Sequence, residues 1–95
     1  MKDETLTSGK AAFMKEPENE TQEILMEVYA ALQHKGYNPV NQMVGYLMSG
    51  DPTYITSFGN SRGKITRVTR DEILEELFSA FIEYYGLNSG DKENQ

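Results

Sequence analysis

The sequence predicts an all-α domain of three to four helices, preceded by a flexible N-terminal arm. Three observations carry this expectation. Apolar residues recur at helical spacing in three separate stretches. Each stretch opens on a side-chain cap and closes on a glycine, one of them with proline at its first helical position. What remains is polar or too short to make a sheet; "ITRV", residues 65–68, alternates over only four positions.

Residues 1–19, "MKDETLTSGKAAFMKEPEN", read as the arm: charged and small residues without a sustained period, with Phe13 and Met14 as the only large apolar pair. The helical domain is expected over residues 20–86 and a polar tail over residues 87–95. Asn19 offers a first cap, with Gln22 three residues on in the reciprocal pattern and Thr21 as an alternative. A helix over 20–35 follows, with Ile24, Leu25, Val28, Tyr29 and Leu32 forming one stripe. His34, Lys35 and Gly36 then suit a helix end, cations meeting the negative dipole terminus ahead of a glycine stop.

Asn38 and Pro39 open a second helix over 39–49, because the missing N–H of proline costs nothing in a first turn. Its inward stripe is predicted to be Val40, Met43, Val44 and Leu47, ending at Gly50. Asp51 and Pro52 repeat the device for one short turn over 52–55. Residues 56–64, "TSFGNSRGK", read as a loop. Thr69 and Glu72 form a capping box, and a last helix over 70–85 carries Ile73, Leu74, Leu77, Phe78, Phe81, Ile82 and Tyr85 before Gly86.

Fully burying those last seven side chains would contribute on the order of 10–20 kcal/mol before entropy is subtracted. One partner helix in so small a body can hardly cover them, so a homodimer is expected. Val44, Leu47, Leu77, Phe78 and Phe81 are the candidate core or dimer-interface residues.

Composition removes most chemistry. The 95 residues allow one domain. The absence of cysteine excludes disulfides and thiolate metal sites, His34 is the single histidine, and no calcium-loop, P-loop, dinucleotide or nucleophile-elbow motif occurs. No metal, cofactor or catalytic residue is therefore expected. No apolar run approaches the ~20 residues that span a bilayer, and the first residues lack a signal-peptide core, so a cytoplasmic location is expected. The net charge of −6 gives no general attraction to phosphate backbones. One local exception stands out. Arg62, Lys64, Arg67 and Arg70 are candidate anion- or partner-binding residues, and the alternative function is a nucleic-acid-binding regulator using this patch. The plainer reading is a solvated loop balancing nearby acids. Thr5, Thr7 and Ser8 in the arm are accessible hydroxyls of the kind kinases modify.

The run "VYAALQHKGYNPVNQMVGYLMSGDPTYI", followed by "RDEILEEL", closely resembles the IreB family of small bacterial regulatory proteins, whose hallmark is KGYNP-x-NQ-x-VGYL-x-SGDP-x-YI. The resemblance covers about residues 20–85. It implies a helical, homodimeric, cytoplasmic and non-enzymatic phosphoprotein of Gram-positive bacteria. The implied partners are a transmembrane Ser/Thr kinase with extracellular PASTA repeats, its cognate phosphatase and an unidentified downstream protein. The implied role is negative regulation in cell-envelope stress and cephalosporin resistance. Family members are phosphorylated on threonine in an N-terminal D-E-T segment, which Asp3, Glu4 and Thr5 match. Lys2 stands where the family carries a further threonine, and Thr7 is the second candidate acceptor here. The chain departs from the family after "DPTYI", where Ser61 and Arg62 replace an Ala-Arg pair in a glycine-richer segment. Two mechanisms follow: a phosphorylated arm docks on Arg62, Lys64, Arg67 or Arg70, or the added charge releases a partner.

Overall fold

Short polar side chains start the helices of this chain, and glycines end several of them. A computed structural model describes residues 15–88. Asn19 accepts from Gln22 N at 2.8 Å and opens α1 (Glu20–His34). Asn38 accepts from Asn41 N at 3.0 Å and opens α2 (Pro39–Ser49), with Pro39 in its first turn. Asp51 caps a 3₁₀ turn (Pro52–Tyr54), and a second tight turn (Phe58–Asn60) leads into α3 (Ser61–Ile65). Thr69 opens α4 (Arg70–Tyr84) with both arms of the capping box formed. Gly50 closes α2 at φ 75°, a left-handed conformation that glycine adopts without a Cβ penalty. The described residues are all-helical, with four α-helices and no strand.

The core gathers around α1. Ile24, Val28 and Leu32 of α1 meet Tyr46 of α2, Ile55, Ile65 of α3, Val68 and Ile73 of α4, with Leu25, Met43 and Leu47 packed against them. Leu32, Ile55, Ile65, Ile73 and Val28 are fully enclosed, each contributing about 1.5–3 kcal/mol through the area it removes from water. α1 packs most extensively on α3 and also touches α2 and α4.

Several expectations need correction. Residues 61–64, read as part of a loop, form α3 together with Ile65. Gly59 and Asn60 both take left-handed φ, reversing the chain so that Ser61 and Ile65 turn one face into the core. On α2 the inward positions are Met43, Tyr46 and Leu47, whereas Val40 and Val44 point outward. Tyr46, buried in the core cluster, takes the place expected of Val44. Tyr29, counted in the α1 stripe, is exposed. The helix ends fall one residue early, with Lys35 and Tyr85 as the caps. On α4 Ile73 alone is buried, and Leu74, Leu77, Phe78 and Phe81 are exposed. Within one chain, Val44, Leu77, Phe78 and Phe81 are therefore surface residues rather than core, and Leu47 is half-buried.

Candidate interaction surface

α4 is held at its start by the Thr69 box and by Ile73 in the core, and beyond that it projects apolar side chains outward. Leu74, Leu77, Phe78 and Phe81 line a shallow depression of about 270 Å³. Phe78 is 64% exposed and its ring lies 6.1 Å from Phe81, which in turn lies 4.7 Å from Tyr85. The i, i+3, i+7 spacing places these rings along one side of the helix. Together they form an exposed apolar face on α4.

The adjoining flank of α4, with Leu77 shared between the two, borders a groove of about 250 Å³ against α1. Leu25, Met26, Leu77 and Ala80 form its apolar floor, and Lys15, Glu16, Glu18, Gln22, Glu76 and Glu83 form its rim. Glu76 and Glu83, two turns apart on one face, tie the beginning of the described chain to α4. Glu76 accepts from Asn19 Nδ2 at 2.9 Å and from Gln22 Nε2 at 2.8 Å. Glu83 accepts from Lys15 Nζ at 2.9 Å, and this hydrogen bond, with the carboxylate charge, raises the Lys15 pKa above its usual 10.5. Both partners of that pair are well exposed, so it positions the segment more than it stabilises the fold. Nothing in the sequence reading pointed to Glu76, Glu83 or this groove. The available signal was Ala80 set between Glu76 and Glu83 on one face, a small residue flanked by acids.

The four cations each meet a separate partner in the chain. Arg62 Nε donates to Ile55 O at 2.8 Å and Arg70 donates to Leu47 O at 2.9 Å. Lys64 pairs with Glu27 at 3.0 Å, and Arg67 pairs with Glu20. Arg62 also lowers the Asp51 pKa, although the larger causes are hydrogen bonds from the backbone and hydroxyl of Thr53. Lys64 and Arg67 thus fasten α3 and the turn after it to α1, Arg70 fastens the start of α4 to α2, and Arg62 holds the segment that follows the Pro52–Tyr54 turn. His34 stacks on Phe58 at 4.7 Å, with Lys35 Nζ 5.5 Å from the same ring. Among the described residues there is no group of three or more acidic or histidine side chains placed to hold a metal, and no helix is long and apolar enough to cross a membrane. Thr5 and Thr7 lie outside the described residues.

Comparison with known proteins places this arrangement in a family. The chain is 57% identical over 68 residues to a UPF0297 protein of Ruminiclostridium cellulolyticum, covering 72% of this chain and 77% of that protein. It is 55% identical over 69 residues to a UPF0297 protein of Acetivibrio thermocellus, covering 73% of this chain and 77% of the relative. The family model described as "IreB regulatory phosphoprotein" matches residues 4–83, taking in Thr5, the capped helices and all of the exposed α4 patch up to Phe81. With a match of that extent, this chain belongs to the IreB family of regulatory phosphoproteins.

Proposed function

We propose that this chain is a non-enzymatic, cytoplasmic regulatory phosphoprotein whose Thr5 is phosphorylated by a transmembrane Ser/Thr kinase. Thr7 is a second acceptor, and a cognate phosphatase reverses the mark. In the transfer, Thr5 Oγ1 takes the γ-phosphoryl group of ATP, ADP leaves, and the hydroxyl proton goes to solvent or base. The chain acts as a negative regulator in the cell-envelope stress response that governs cephalosporin resistance, by binding a downstream protein. It works as a homodimer joined through the exposed face of α4, with Leu77, Phe78 and Phe81 at the contact and Val44 and Leu47 on the second apolar face.

The family match over residues 4–83 carries this reading, because it spans the arm threonine and the folded body together. The net charge of −6, with each of Arg62, Lys64, Arg67 and Arg70 engaged inside the chain, weighs against nucleic acid as the partner.

Incubation with the host membrane kinase and ATP, followed by peptide mass spectrometry, tests the assignment. Phosphate on the Thr5 peptide, lost in Thr5→Ala, is the expected result. An unmodified chain, or modification confined to residues 15–88, would overturn it. In cells, deletion is expected to raise cephalosporin tolerance, and an unchanged or lowered tolerance would remove the regulatory role.

A further inference from the structure

The groove between α1 and α4 is apolar at its floor and acidic at its rim, and the chain itself enters at its lip. Lys15 stands there, paired with Glu83, while Glu18 N donates to Gln22 Oε1 at 2.7 Å and Asn19 is fastened to Glu76. Pro17 restricts the backbone between these anchors. The two residues next upstream of Lys15 are Phe13 and Met14, the only adjacent large apolar pair among residues 1–14. Their backbone lies within about 7 Å of Lys15, since each residue spans at most ~3.6 Å.

We propose that the groove is the docking site of this chain's own N-terminal segment, with Phe13 and Met14 covering Leu25, Met26, Leu77 and Ala80. Met26 and Leu77 are each 44% exposed and gain a cover. The segment is already tethered at the rim, so docking carries no translational cost and proceeds at high effective concentration, an advantage that neither a second copy nor a foreign peptide has. Charge favours the same occupant. Residues 1–15 carry Lys2, Lys10 and Lys15 against Asp3 and Glu4, a net +1, which leaves −7 on residues 16–95 out of the total of −6. Four of those acidic charges, Glu16, Glu18, Glu76 and Glu83, stand at the rim of the groove.

This attraction has a regulatory consequence, which rests on Thr5 being an acceptor. A phosphate adds about −1.5 to −2 of charge, turning the segment from net positive to net negative. The segment is then repelled by the surface that held it. The effect is strongest at low salt, because the screening length is ~10 Å at 0.1 M. Phosphorylation would thereby uncover the α1–α4 groove rather than build a new contact on the cations of α3.

Proton NMR on the full chain tests docking without any kinase. Cross-relaxation is expected between the Phe13 ring and the methyls of Leu25, Met26 and Leu77. In Phe13→Ala/Met14→Ala those methyls should shift, with Ile65 and Ile73 unmoved as the sign of an intact core. Absent cross-peaks together with unmoved groove methyls would overturn the proposal. In a mixed sample of labelled and unlabelled chains, cross-peaks found only between molecules would overturn it too, since a second copy would then be the occupant. For the regulatory half, a semisynthetic chain bearing phosphothreonine at position 5 should show, at low salt, groove methyls moved toward their positions in the double-alanine variant. Methyls unchanged by the phosphate would sink that half. Because the phosphate is introduced chemically, a kinase that ignores Thr5 would refute the proposed function and leave the docking result standing.

Discussion

The ring of Tyr54 rests on Gly45 so closely that a Cβ at position 45 would lie 2.3 Å from Tyr54 Cε1 and 2.5 Å from Cδ1. Gln42 Nε2 fixes the Tyr54 carbonyl to α2 at 2.8 Å, so the ring cannot simply swing away with its backbone. Alanine at 45 gains up to ~1 kcal/mol of helix propensity but forces an overpacked contact costing about 1–3 kcal/mol. Gly45→Ala is therefore expected to lose about 1–2 kcal/mol in urea unfolding. In a Tyr54→Ala background the same change should become neutral or stabilising, a non-additivity that a double-mutant cycle reads directly.

Thr69 holds the first turn of α4 by accepting from Glu72 N at 3.1 Å, while the Glu72 side chain accepts from Thr69 N at 2.9 Å. Thr69→Ala removes one arm of this box and should cost about 1 kcal/mol. Thr69→Ser keeps the acceptor and should recover most of it. Thermal unfolding followed by helix circular dichroism checks both, and equal melting for all three chains would mean that the cap contributes nothing.

Ile73 and Phe81 share one helix but not one environment. Ile73 is fully buried, so Ile73→Ala should destabilise the chain by about 2–5 kcal/mol. Phe81 is half exposed, so Phe81→Asp should leave the helix content of the folded chain near normal while abolishing the proposed self-association in sedimentation velocity. A Phe81→Asp chain that sediments as the parent does would place the contact elsewhere.

Asp51 accepts from Thr53 N at 3.0 Å and from Thr53 Oγ1 at 2.8 Å, and these bonds hold its carboxyl below the ordinary 3.8. A depressed folded-state value means that the ionised form is favoured by folding. Its stabilisation is complete above 3.8 and fades as the pH falls through the lower folded value. Thr53→Ala deletes the hydroxyl bond and keeps the amide bond, so the Asp51 midpoint in a carboxyl NMR titration should rise part of the way toward 3.8. A midpoint that does not move would assign the whole effect to the backbone amide and Arg62.

The starts of α1, α2, the Pro52–Tyr54 turn and α4 were legible in the sequence because a cap acts within three residues. Asn19, Asn38, Asp51 and Thr69 each bond a backbone N–H nearby in the chain, and Pro39 and Gly50 meet conformational needs of their own positions. The apolar period likewise established helices along 20–34, 39–49 and 70–84 whatever surrounds them. The sequence by itself also determined the acidic balance and the family resemblance carried by the run from Val28 to Ile55.

Which face of each helix turns inward was decided only by tertiary packing. A stripe at i, i+3, i+4 on α2 is satisfied by Val40, Met43, Val44 and Leu47 or by Met43, Tyr46 and Leu47, and the position of α1 selects the second. α3 exists because Ser61 and Ile65 have α1 to pack on, a long-range reward that outweighs the loop character of Gly59, Asn60 and Gly63. The same logic placed Glu76 and Glu83 against Asn19, Gln22 and Lys15, more than 50 residues away in sequence, and spent Lys64, Arg67 and Arg70 on a distant carboxylate or carbonyl. Local chemistry sets where a helix begins and ends, but burial depends on partners that the chain brings together only when it folds.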